Sequence, residues 1–239
     1  MGGTAGPNAQ DEGWLMNVRV YQIDPDRDAN RVMHERLGDL QKYQGSAKVD
    51  ESLYDRVLRA DVDCEDLEQL YTMLNISGHP LYHGGQMKVS DVVVTDEGAF
   101  YCDRVGFVGI EFDESKAQIP EGMMRVIYVE PGKPAYETEI PDNWEARSQA
   151  VQGILDCVQM DYSTVLLCND ESKINGMKGN RRLDNGSVIA GPFLIVGDGN
   201  EFQPLTDAQA AHFMERFKEP ENITPQEVAA DTYIHFYAF

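Results

Sequence analysis

The sequence predicts an α+β protein built as two small mixed sheet-and-helix domains in tandem. Three observations carry that prediction. Strand-like apolar runs alternate irregularly with segments of helical period. A polar stretch without periodicity, "DESKAQIPEGM", interrupts them at residues 113–123. The length of 239 residues suffices for one large domain or two small ones, each with a sizeable core. An apolar fraction of 42% argues for a folded globule over a disordered chain.

The elements follow in order. Residues 1–13, "MGGTAGPNAQDEG", read as a flexible leader, since a basic start and an apolar run are missing. The first domain spans 14–115. Its opening "WLMNVRVYQI" carries Val18, Val20 and Tyr21 in a strand-like run that "DPDRD" breaks. "ANRVMHERLGDLQKYQ" spaces Val32, Met33, Leu37 and Leu40 by three and four, which predicts a helix with one apolar stripe. "SLYDRVLRADV" alternates as a strand. "CEDLEQLYTMLNI" returns to helical period through Leu67, Leu70, Tyr71 and Leu74, with acidic residues in its first turn. After the turn-rich "HPLYHGGQ", the run "KVSDVVVTDEGAFYCDRVGFVGIEF" reads as two strands joined at "TDEGA".

A linker at 116–123 leads to the second domain, 124–217. "MRVIYVEPG" is a strand and "KPAYETEIP" its hairpin partner. "DNWEARSQAVQGILD" predicts a helix capped by Asp142 or Asn143, with Trp144, Arg147, Val151 and Leu155 at helical spacing. "STVLLCND" and "SVIAGPFLIVGDG" are strands, and the proline in the second points to a sheet edge or a bulge. "TDAQAAHFMERFKE" is a helix capped by Thr206 that buries Ala210, Phe213, Met214 and Phe217. Residues 218–239 form a tail with one short capped helix. Its aromatic end, Tyr233, Phe236, Tyr237 and Phe239, is expected to dock on the core, the alternative being a surface for a partner.

The net charge of −21 bounds the partners. Residues 1–123 hold 23 acidic and 11 basic side chains, and residues 124–239 hold 18 and 9, so both halves share the excess. Such a field repels nucleic acid and anionic membrane. It suits solubility, a cation, a basic protein, or a protein whose DNA groove the acidic surface imitates. No run approaches the ~20 apolar residues of a membrane span. The four cysteines, Cys64, Cys102, Cys157 and Cys168, form no ligand spacing for zinc. They fit reduced side chains in the cytoplasm.

One stretch, "KINGMKGNRRLDNGSVIAGPFLIVGDG", raises a phosphate-loop reading. "GSVIAGPF" has the GxxxxG spacing but offers Pro-Phe where Lys-Ser/Thr is required, and "GDGNEF" has only two of three dinucleotide glycines. What survives is charge. Lys173, Lys178, Arg181 and Arg182 gather in a glycine-rich turn, where Lys178, Asn180, Arg181 and Arg182 suit a small anionic ligand. The same cations also serve to balance Asp170, Glu171 and Asp184. His79 and His83, with Asp91, are the candidates for acid–base chemistry, although no nucleophile stands at a partner spacing. The acidic segment Asp61, Asp63, Glu65, Asp66 and Glu68 is a solvated helix start or the beginning of a partner-binding, DNA-mimicking strip.

"VRVYQI" and "LYHGGQMKVSDVVVTDEGAFYCDRVGFVGIEF" resemble the YodL-like domain family, in which a glycine-rich approach leads into an "SVSDVVV"-type strand and then a "YYVDSFGF"-like one. Here "KVSDVVV" and "FYCDRVGF" fill those places, over about residues 17–115. The later segments "MRVIYVEPGKPAYETEI", "VLLCNDESKINGMKGNRRL" and "VIAGPFLIVGDGNEFQPLTDAQ" resemble a small domain family of unknown function from phage and conjugative-element proteins, over about 124–217. Asn180 and Arg181 keep that family's Asn-Arg pair, but "MKGNRRL" departs from the family's apolar-Pro-x-Asn-Arg sequence, and Gly179 makes the loop before the pair looser. The resemblances imply a mobile-element setting and no established chemistry. Together with the charge, they lead to the expectation of a non-enzymatic anti-defence accessory protein. It would need no metal or cofactor, and it would bind a basic host protein and not nucleic acid or membrane directly. The alternative is a binder of a small anionic ligand or nucleotide through Arg181 and Arg182.

Overall fold

The computed structural model describes residues 15–232. The leader, Trp14, His235 and the aromatic end of the tail lie outside the described residues. The first half runs β1 (Leu15–Ile23), α1 (Leu40–Gln44), β2 (Tyr54–Asp63), α2 (Leu67–Thr72), β3 (Val92–Thr95), β4 (Gly98–Cys102) and β5 (Phe107–Ile110). The second runs β6 (Met123–Val129), β7 (Tyr136–Pro141), α3 (Trp144–Ala150), β8 (Leu155–Gln159), β9 (Thr164–Asn169), β10 (Gly179–Arg182), β11 (Val188–Ala190), β12 (Phe193–Gly197), α4 (Asp207–Arg216) and α5 (Pro225–Ala230). Two five-stranded antiparallel sheets result, ordered β2-β1-β3-β4-β5 and β7-β6-β12-β9-β8, with β10-β11 as a separate hairpin. The α+β class with two mixed units in tandem is what the sequence predicts.

Each sheet buries both faces, as strands with near-continuous apolar runs require. In the second sheet, Met124, Val126, Tyr128, Leu194 and Val196 face one core. Ile127, Val129, Phe193 and Ile195 face another, closed by Ala210 and Phe213 of α4 and by Phe217 at its C-cap. The first sheet places Val18, Val20, Leu58 and Ala60 in the same core as Met124 and Tyr128. Its other face gathers Tyr21, Tyr54, Val92 and Tyr101 with Val32 and Leu40. One apolar core therefore runs through both units. Edge strands β2 and β7 pack side by side, tied by Thr138 Oγ1 donating to the Arg59 carbonyl at 2.7 Å and by the Arg56–Glu139 ion pair at 2.7 Å.

Several local expectations are corrected. The helix predicted over residues 29–44 shrinks to α1. Arg31 and His34 adopt positive φ, and the Asp28 carboxylate accepts from the amides of Val32 and Met33, so the chain turns before it winds. The apolar spacing is satisfied all the same, because Val32 and Leu40 still reach the core. "KVSDVVV…GIEF" makes three strands, since Cys102 ends β4 and a turn at Gly106 starts β5. Leu155 leaves the predicted helix for β8, because Gln152 at φ 59° ends α3. "SVIAGPFLIVG" divides into β11 and β12 at Gly191-Pro192, where Gly191 turns the chain with φ 73°. β12 is thus an inner strand and not an edge, and the proline sits in the connection. The linker is strapped down: Gln118 N donates to Tyr54 O at 2.8 Å, and Gln118 O accepts from Arg56 N at 2.9 Å.

Candidate functional site

The cationic turn is built as a brace. Strand β10 carries Asn180 and Arg181 inward, and both are buried, with exposures of 0% and 1%. Asn180 Nδ2 donates to the carbonyls of Val129 and Gly191 at 2.9 and 2.8 Å. The Arg181 guanidinium donates to Asn180 O and Oδ1, Lys133 O and Phe217 O, at 2.7 to 3.1 Å. These bonds join β10 to the end of β6, the loop before β7 and the end of α4. Burial pulls the Arg181 pKa down, with Glu221 opposing. The expectation that Asn180 and Arg181 face a ligand is corrected, because every polar contact they make is internal. Arg182 is exposed but pairs with Glu227 at 2.9 Å, and Lys173 pairs with Asp231 at 2.7 Å. Lys178 alone of the four candidate ligand residues is exposed without such an ion pair among the described residues.

The histidines also serve the backbone. His79 is buried, and its Nδ1 accepts from Leu81 N at 3.2 Å; burial, with Lys133 adding to it, lowers its pKa to about 4. The His83 ring lies between the carbonyls of Leu81 and Arg56. Asp91 bonds neither. Its Oδ2 accepts from Gln22 Nε2 at 2.7 Å and from Lys88 N at 2.8 Å, while its Oδ1 is buried without a partner. Gln22 in turn accepts from Gly85 N. This knot pins the glycine-rich approach to β1.

Burial raises the Asp91 pKa to about 7, against the lowering by Gln22 and Lys88. A folded-state value above the unfolded one means that the folded protein holds the proton more tightly. The resulting stabilisation is complete at low pH and is lost as pH rises through about 7. Asp91→Asn removes this dependence. The stability of the variant relative to the parent is expected to grow by about 2 kcal/mol between pH 5 and pH 7, measured by urea unfolding at each pH. A pH-independent difference would show that Asp91 stays ionised.

The acidic strip divides. Asp61 Oδ1 accepts from Asn17 of β1 at 2.7 Å, while the Asp61 carbonyl accepts from Lys133 Nζ at 3.1 Å and Asp63 pairs with Lys133 at 3.1 Å, so both residues meet the second unit through Lys133. Asp66 caps α2 by accepting from Gln69 N at 2.8 Å, as its Asp-x-x position favours. Glu65 exchanges hydrogen bonds with Gln69, and Glu68 is exposed on α2. Glu65 and Asp66 share an open cleft of about 740 Å³ with Asp96 and Glu97 of the β3–β4 turn. Leu15, Met16, Leu67 and Phe100 supply its apolar floor. None of its lining residues is cationic. Sequence reading misses Asp96 and Glu97, because only the pairing of β3 with β1 brings that turn beside the start of β1. The local signal is the turn itself: "TDEG" sets Gly98 at φ 139° and leaves both carboxylates exposed.

Comparison with known proteins places these features. Residues 17–112 match the YodL-like domain, and residues 124–218 match a domain of unknown function (DUF3846). The two matches stand in the order the motifs predict. No curated protein and no solved structure matches it. Among the described residues, no helix is long and apolar enough to cross a membrane.

Proposed function

We propose that this YodL-like and DUF3846 pair is a non-catalytic binding protein that presents its acidic surface to a basic, nucleic-acid-binding partner. The mobile-element setting implied by the resemblances makes an anti-defence accessory role the natural context. The observation that supports the reading is the cleft where Glu65, Asp66, Asp96 and Glu97 converge without a cation among its lining residues, in a chain of net charge −21. Opposite charge then steers association and sets its salt dependence. The reading keeps a basic partner but moves its contact surface. Asp61 and Asp63 meet Lys133 of the second unit through the Asp61 carbonyl and the Asp63 carboxylate, so of the strip 61–68 the cleft draws on Glu65 and Asp66. A ligand bound through Arg181 has no support, because that side chain is enclosed.

The test is retention of purified basic DNA-binding proteins on the immobilised chain. Retention is expected at ~50 mM salt, with loss by ~500 mM and competition by duplex DNA. No retention at the low-salt end overturns the reading.

A further inference from the structure

Resting on that reading of a basic partner, we propose that the cleft seats a short segment of the partner in which bulky apolar side chains are flanked on both sides by arginine or lysine. Charge alone would be served anywhere on this surface; the cleft differs in having a floor. Met16 and Leu67 are half-buried and continue the core shared by both units, with Cys64 of that core at the base. Phe100 is half-buried, and Leu15 keeps 44% of its surface exposed. These side chains form an apolar bed that the described residues leave uncovered. An apolar guest that covers it gains what burial of any such surface gains. The volume, about 740 Å³, holds several side chains and far exceeds what one ammonium group fills.

The rim sets the flanks. Asp96 and Glu97 stand on the β3–β4 turn, and Glu65 and Asp66 stand on the approach to α2, so carboxylates border the floor from two separate elements. One oxygen of Asp66 is engaged in capping α2. A guest crossing the floor therefore meets negative charge on entering and on leaving. An apolar centre with cationic ends is the chemistry complementary to that order. A polyamine matches the rim but leaves the floor uncovered.

The test uses the full chain and two fluorescein-labelled heptapeptides, both with Arg-Lys at one end and Lys-Arg at the other. One has Leu-Phe-Leu in the middle and the other Ser-Gly-Ser. The apolar-centred peptide is expected to bind about tenfold more tightly or better. The triple variant Glu65→Gln, Asp96→Asn, Glu97→Gln should weaken it about tenfold. A control triple that removes equal charge elsewhere, Asp170→Asn, Glu201→Gln, Glu219→Gln, should change it less than about threefold. Leu15→Ser, at the exposed first residue of β1, should weaken the apolar-centred peptide and leave the other unchanged. Equal binding of the two peptides, or equal loss in both triples, overturns the cleft as the seat and leaves the wider acidic reading standing. Spermine displacing the apolar-centred peptide at equal cation concentration also overturns it. Failure of both peptides to bind, together with failure of basic proteins to be retained, removes the wider reading too.

Discussion

Arg181→Ala is expected to destabilise the protein by about 3–5 kcal/mol, lowering the midpoint of thermal unfolding by about 10 °C. The guanidinium is 1% exposed and donates to three backbone carbonyls and the Asn180 side chain. Truncation leaves these acceptors buried without a donor, and each such loss costs about 1–3 kcal/mol. It also leaves a cavity between β10 and the end of α4, next to Phe217, where relaxation is limited. Arg181→Lys should lose nearly as much, because one ammonium group cannot span the positions that a planar fork reaches. The neighbour provides the control. Arg182 is exposed and its pair with Glu227 lies at the surface, so Arg182→Ala should cost less than about 1 kcal/mol. Urea unfolding measures all three. Equal, small losses for Arg181→Ala and Arg182→Ala would mean that the Asn-Arg pair is not the brace described.

That contrast shows what is legible in the sequence and what is not. The Asn180–Arg181 pair stands out as a motif, but its meaning depends on carbonyls at residues 129, 133, 191 and 217, all remote in sequence from at least one of the pair. A charge cluster written in one dimension reads as a surface feature. An irregularity in the β10 pairing between Gly179 and Arg181 accompanies the burial of both Asn180 and Arg181, while Arg182 faces outward. Strands and capped helices are legible where one element decides the matter. The β6–β7 hairpin and the Thr206 capping box of α4 follow from local pattern and local chemistry. The predicted helix over residues 29–44 fails because its apolar spacing is met by a different path, with Asp28 holding a turn by side-chain bonds that periodicity does not register. The cleft fails for a related reason. Glu65 and Asp66 belong to a recognisable acidic segment, but Asp96 and Glu97 become their neighbours only through sheet pairing.

The two units are expected to unfold in a single cooperative transition, and each is expected to lose its cooperative fold when expressed alone as residues 15–117 or 118–232. Two separate family matches suggest two independent domains, yet the packing argues otherwise. Val18, Val20, Leu58 and Ala60 of the first sheet share one core with Met124, Val126, Tyr128 and Ile140 of the second. Exposing a fully buried side chain of this size costs about 1.5–3 kcal/mol, and a domain's whole stability is about 5–15 kcal/mol. Uncovering even part of that shared face therefore consumes the margin of either unit. Separation would also strip polar partners. Arg56 would lose Glu139, and Gln118 would be left on a different fragment from the Tyr54 carbonyl and the Arg56 amide that it bonds. Calorimetry of the full chain should give one peak whose calorimetric and van't Hoff enthalpies agree. The separate fragments should bind a hydrophobic dye and melt without a sharp transition, and mixing them should restore the peak. Two resolved transitions in the full chain, each reproduced by one fragment, would show that the shared core contributes little.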